Sequence, residues 1–237
     1  MPGGERQLPL TLRYPPDQRL DAFIGAPEGA IAQLRAWAAG TAGDWLYLSG
    51  PAGSGRTHLA LAACAEAEVA GKGASYVPLR AATGRLREAL DALEGGAFAL
   101  DGLEAVAGRD ADELALFDFH NRARASGVRV LYTAIAAPEA LGIGLPDLRS
   151  RLGQCARIAL SPLDDEGRRA VLRSRAQRRG LLIDEAALDW LLERVGRDLA
   201  GLTARLDALD RLSLAAQRRI TVPFLRQALG EKKPAAR

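Results

Sequence analysis

The chain has 237 residues, 48% of them hydrophobic and 26% charged, which suits a soluble globular protein of one to two domains with a full apolar core. No run approaches the roughly 18 apolar residues of a membrane span, and the start Met1-Pro2-Gly3-Gly4-Glu5-Arg6 carries no apolar signal region, so a cytoplasmic setting is expected. Cys64 and Cys155 stand far apart and outside any CxxC pair, which sets aside a disulfide scaffold and a thiolate metal site. The net charge of +3 conceals an asymmetry, −4 over residues 1–150 and +7 over residues 151–237. A basic C-terminal part can attract phosphates, DNA or an acidic partner, and a solvated helical surface accounts for the same charge. Arginine outnumbers lysine 29 to 3, so no single arginine is informative by its type alone.

In chain order, residues 1–18 are punctuated by Pro9, Pro15 and Pro16 and are expected to be extended. Residues 28–38 are alanine-rich and read as a helix. Short apolar runs at 45–49, 74–78, 97–101, 128–133 and 156–160 are predicted strands, and the gaps between the first four have helical period and length. Continuously apolar strands alternating with helices predict an α/β fold with a parallel sheet buried on both faces. After Leu160 the texture changes, and residues 161–229 read as three or four amphipathic helices with no strand. Asp164-Asp165-Glu166 places negative charge at a helix start, Leu172 and Ala176 recur at helical spacing, and Gly180 is the predicted stop. Leu188, Leu191, Leu192 and Val195 share one face of a second helix. A further helix is expected from about Asp198, and a last one near Thr221 with Pro223 in its first turn. The expected organisation is an N-terminal segment 1–18, an α/β domain 19–160 and a small all-α domain 161–237.

The strongest local signal is Gly50-Pro51-Ala52-Gly53-Ser54-Gly55-Arg56-Thr57, which fits GxxxxGK[ST] except that arginine stands for lysine. A predicted strand enters it and a predicted helix leaves it, as a phosphate cradle requires. Glycines let backbone N–H groups turn toward an anion, and the helix N-terminus adds positive potential. Thr57 has the hydroxyl that such a loop offers to Mg²⁺. Arg56 keeps the charge of lysine but presents it as a planar fork. The third strand ends in Asp101, where an apolar strand delivers a carboxylate beside a phosphate loop to hold Mg²⁺. The next position, often a second acid in hydrolases, is Gly102, and Glu104 follows two residues later. Nucleotide binding is the expectation, and efficient hydrolysis does not follow from it. His58 opens the helix after the loop, and neither it nor His120 has neighbours at metal-ligand spacing.

With these features the chain resembles the DnaA-like branch of the AAA+ P-loop ATPases, and within it the regulatory inactivators of that initiator. The likeness runs from about Gln7 to Leu229. It is carried by the phosphate loop through Leu59, by Leu116-Phe117-Asp118-Phe119-His120-Asn121-Arg122, and by Leu145-Pro146-Asp147-Leu148-Arg149-Ser150-Arg151-Leu152. Leu163-Asp164-Asp165-Glu166 and the segment from Leu209 to Phe224 complete it. The resemblance implies an AAA+ domain followed by a helical lid, with ADP or ATP and Mg²⁺ as cofactors. It implies that Arg151 is an arginine finger acting on a neighbour's nucleotide, that Arg197 is the sensor 2 arginine, and that Thr133 holds the sensor 1 slot. Gly50, Gly53, Ser54, Gly55, Arg56, Thr57, His58, Asp101 and Ile24 complete the implied nucleotide site, with Ile24 on its adenine side. Arg149 lies two residues from Arg151, a turn of about 200° on a helix, so the two face different ways.

Gln7-Leu8-Pro9-Leu10-Thr11-Leu12 resembles the short motif by which bacterial proteins bind the DNA polymerase sliding clamp. An extended segment can set Leu8, Leu10 and Leu12 into an apolar groove while Gln7 hydrogen-bonds at its edge. Thr11 departs from the aromatic or proline common at that place. The family implies as partners DnaA, the sliding clamp of DNA polymerase III, DNA through the clamp, and a further copy of the chain. The function expected is a regulator of chromosomal replication initiation that stimulates hydrolysis of DnaA-bound ATP and prevents re-initiation. A DNA-binding initiator-like or helicase-loader-like ATPase is the alternative.

Overall fold

The computed structural model describes residues 18–195, 201, 206 and 219–228. A short helix, Ala30–Ala39 (α1), precedes strand Leu46–Ser49 (β1), which leads through the glycine-rich loop into Arg56–Val69 (α2). Ser75–Pro78 (β2), Leu79–Ala82 (α3), Leu86–Asp91 (α4) and Ala97–Asp101 (β3) follow. Asp110–Ala125 (α5), Arg129–Ala134 (β4), Pro146–Gly153 (α6) and Ala156–Ala159 (β5) complete the α/β part. The five strands form one sheet in the order β2-β3-β4-β1-β5, and every pairing is parallel.

The central strands β1, β3 and β4 are largely buried because both faces are covered, whereas the edge strands β2 and β5 are partly exposed, so the expected burial on both faces holds only for the middle of the sheet. Leu46 and Leu48 of β1 join Ala97 and Ala99 of β3 and Leu131 of β4 in the core beneath α1 and α2. Their neighbours Tyr47, Phe98, Leu100, Val130 and Tyr132 point to the opposite core, beneath α5 and α6. Successive side chains leave a strand on opposite faces, so each run divides its residues between two cores. The first core is lined by small side chains, Ala60, Ala62, Ala63 and Ala67 of α2 among them, which lets that helix lie close to the sheet. The second is filled by aromatic rings, with Phe98 and Phe119 edge-to-face at 5.8 Å.

Beyond the sheet, Asp165–Arg178 (α7), Glu185–Val195 (α8) and Val222–Ala228 (α9) form a helical part with its own core of Leu172, Ala176, Leu188, Trp190, Leu191 and Leu225. The Asp164 carboxylate caps α7 by accepting from the Gly167 N–H at 2.7 Å, and Gly180 at φ +68° turns the chain out of that helix. Ion pairs from Arg169 to Asp189 and from Arg173 to Glu185 tie α7 to α8. No strand occurs among the described residues of 161–229, although Ile183 and Ile220 make an isolated parallel bridge. The Ile220 N–H donates to the Leu182 carbonyl at 2.8 Å, and the Asp184 N–H donates to the Ile220 carbonyl at 3.1 Å. That contact joins segments far apart in the chain, which local patterning cannot reveal. Among the described residues no helix is long and apolar enough to cross a membrane.

Candidate functional site

The glycine-rich loop leaves the C-terminal end of β1 and closes onto the start of α2. Two of its glycines are sterically required. A Cβ at Gly50 would lie 2.8 Å from the Leu160 carbonyl oxygen, and one at Gly55, where φ is +94°, would lie 2.4 Å from the Phe23 ring. The loop floors a cavity of about 320 Å³. Gln18, Phe23 and Ile24 wall one side, Gly53 to His58 form the base, and Leu163, Val171, Arg175 and Arg178 of the helical part close the other. His58 is held in this wall by its Nε2 at 3.2 Å from the Arg19 carbonyl oxygen and by edge contact with Phe23.

Polar groups converge at the same end of the sheet. Residues 97, 99 and 101 share a face of β3, so Asp101 emerges on the side of α2. The Thr57 hydroxyl donates to Asp101 Oδ2 at 2.9 Å, the Tyr76 phenol donates to the same oxygen at 2.7 Å, and the Thr133 hydroxyl donates to Oδ1. Thr133 is fully buried and accepts in turn from the Gly102 N–H at 3.0 Å. Arg56 forms an ion pair with Glu104 at 3.1 Å, and Glu104 also accepts from the Ile135 N–H. Two buried oxygens that line the cavity, Ser54 Oγ and Gln18 Oε1, have no hydrogen-bond partner among the described residues. Buried polar atoms are ordinarily satisfied. An anion on the loop would suit Ser54 as donor, and an amine-bearing base would suit Gln18 as acceptor, so the residues fit a nucleotide.

Residues 165–229 match the model of the Hda lid domain. The chain superimposes on domain III of the Thermotoga maritima replication initiation protein DnaA with a TM-score of 0.74 at 19% identity, over 92% of this chain and 98% of that one. AMPPCP-bound DnaA from Aquifex aeolicus matches at TM-score 0.66 and 19% identity, over 85% of this chain and 67% of that one. The Thermotoga maritima RuvB Holliday junction branch migration motor matches at 0.62 and 19%, over 92% and 72%. At such identity the structural likenesses are of fold. The chain thus has the fold of DnaA domain III, and its helical part matches the Hda lid domain.

Within this fold the remaining residues singled out from sequence fall in two places. Arg151 lies in the last turn of α6, exposed, and none of the ion pairs among the described residues engages it. Ala156 at the start of β5 pairs with Leu46 at the start of β1, so Arg151 sits at the N-terminal end of the sheet, opposite the phosphate loop. The approach to α6 is anchored by the buried Glu113, whose carboxylate accepts from the N–H groups of Gly108, Gly144 and Leu145 at 2.6, 3.0 and 2.7 Å. His120 is buried between Trp45 and Tyr132, and burial, then the charges of Arg151 and Arg124, push its pKa down to about 4. It is therefore neutral near pH 7 and serves packing. Gln7, Leu8, Leu10, Leu12 and Arg197 lie outside the described residues.

Several residues of this site carried no signal in the sequence. Tyr76 reaches Asp101 only because β2 is the neighbour of β3, and Arg175 and Arg178 reach the cavity only because the lid folds back over the loop. Gln18 is an isolated polar residue before a short helical turn, with nothing in its spacing to mark it.

Proposed function

We propose that this chain is a regulator of chromosomal replication initiation that binds ADP or ATP and, docked on the DNA-loaded sliding clamp, stimulates hydrolysis of DnaA-bound ATP through Arg151. The observation that carries this reading is the position of Arg151: exposed, outside every described ion pair, and at the end of the sheet away from the chain's own phosphate loop. It has no route to the nucleotide of its own chain and is open to that of a neighbour. A guanidinium there neutralises charge developing on a transferred phosphoryl group. The Hda-type lid and the DnaA-like fold support DnaA as that neighbour.

The chain's own nucleotide has a structural part in this reading. The loop N–H groups and Ser54 bind its phosphates, the 18–24 segment takes the base, and Arg175 and Arg178 bring the lid against it. Thr57 and Asp101 are the residues that would hold Mg²⁺, which when bound neutralises phosphate charge. Self-hydrolysis is expected to be weak, because Gly102 offers no carboxylate to orient water and Glu104 is engaged by Arg56. The reading is tested by hydrolysis of DnaA-bound ATP with this chain and a DNA-loaded clamp added. Stimulation supports it, and none from nucleotide-bound protein overturns it.

Two variants separate the parts. Thr57→Ala removes a hydroxyl that would hold Mg²⁺ and is expected to weaken ADP binding about tenfold in the presence of Mg²⁺, as read by a fluorescent nucleotide. Full affinity would mean that the loop is a turn and no phosphate site. Gln7→Ala is expected to lower clamp affinity about tenfold in a pull-down or interferometry titration while ADP affinity stays at the wild-type value. Clamp affinity that does not move would remove residues 7–12 from the docking role.

A further inference from the structure

The Asp101 carboxylate carries one donor more than a phosphate-loop threonine and a neighbouring-strand hydroxyl supply. Thr57 and Tyr76 both donate to Oδ2, at 2.9 and 2.7 Å, and Thr133 donates to Oδ1. An ionised carboxylate offers about four lone-pair sites, so three are taken and the oxygen nearest the phosphate loop has both of its own filled. We propose that Tyr76 is a positioning residue that keeps Asp101 saturated with donors and thereby raises the Mg²⁺ concentration at which nucleotide is bound with its cation. This rests on the nucleotide-site reading above.

The phenol is well placed to hold that state. Tyr76 lies on the edge strand β2, pairs with Ala99 of β3, and its half-buried ring packs against the core beneath α1 and α2. Little side-chain freedom remains to be lost when its hydroxyl meets Asp101. A charge-assisted bond of this kind is stronger than a neutral one. It also occupies a lone pair on Oδ2 that would otherwise be free to accept from another donor. Tyr76→Phe removes the donor, keeps the packed ring, and frees one lone pair on Oδ2.

The experiment is a Mg²⁺ titration of fluorescent ADP binding to the full chain, for wild type, Tyr76→Phe, Asp101→Asn and the double variant. Tyr76→Phe is expected to lower the Mg²⁺ concentration for half-saturation about tenfold, with affinity in EDTA unchanged. In the Asp101→Asn background tyrosine and phenylalanine are expected to behave alike. An unchanged or raised half-saturation in Tyr76→Phe overturns the proposal. So does a loss of thermal stability in EDTA with no change in Mg²⁺ demand, since a purely structural tyrosine would give that result. Wild-type protein that binds no ADP at all would fell the nucleotide reading, and this inference with it.

Discussion

Replacing Arg151 with alanine is expected to lower the stimulated hydrolysis of DnaA-bound ATP by about 10³-fold, the scale of removing an arginine finger. The physical ground is that a guanidinium delivered to a nucleotide from a neighbouring subunit stabilises charge that the nucleotide's own site leaves uncompensated. Arg151 suits delivery because α6 presents it to solvent and no described carboxylate holds it. The same exposure means that the substitution leaves the core intact, with a stability change within about 0.5 kcal/mol. ADP binding by the variant is expected at the wild-type level, since the phosphate loop lies at the other end of the sheet. Arg149, about 200° away on the same helix, provides the comparison: Arg149→Ala is expected to retain most of the stimulation. Equal stimulation by wild type and Arg151→Ala, each at saturating protein, would remove Arg151 from the reaction.

Glu113→Ala is expected to destabilise the fold by about 4 kcal/mol and to lower the melting temperature by about 10 °C. The side chain is buried, and its two oxygens gather three backbone N–H groups from the loops that precede α5 and α6. Alanine would remove the acceptor shared by all three donors, and a hydrogen bond to a carboxylate contributes about 1.5–3 kcal/mol. Glu113→Gln keeps one acceptor oxygen and sets an amide N–H₂ against a backbone N–H, so an intermediate loss is expected. Thermal unfolding checks both, and a melting temperature within about 2 °C of wild type for Glu113→Ala would show that the loop is held by other contacts.

Glu113 also marks the boundary of what the pattern of residues discloses. In the sequence it is one acid of a cluster at a helix start, Asp110, Asp112 and Glu113, where negative charge favours the helix dipole. In the fold it turns inward and holds the segment before α6. Asp112 likewise accepts from the Gly84 N–H at 3.1 Å. Glu104 presents the same case: two residues past Gly102 it reads as a surface acid, and it becomes the partner of Arg56 because the turn after β3 faces the phosphate loop. Arg197 and the 7–12 segment were legible as motifs and lie outside the described residues.

The strand–helix alternation, the phosphate loop and Asp101 were readable from local chemistry. Continuous apolar runs can only be buried on both faces, and a glycine-rich turn between strand and helix can only cradle or connect. The order β2-β3-β4-β1-β5 was not readable, because strand pairing is a contact between segments tens of residues apart. That order sets Tyr76 and Thr133 on either side of Asp101 and puts Arg151 at the far end of the sheet from Gly50. Residue type and spacing thus announced which chemical groups the chain carries, whereas their convergence depended on sheet order and on the lid folding over the loop, both of which are set by the burial of two opposing cores and of the lid's own.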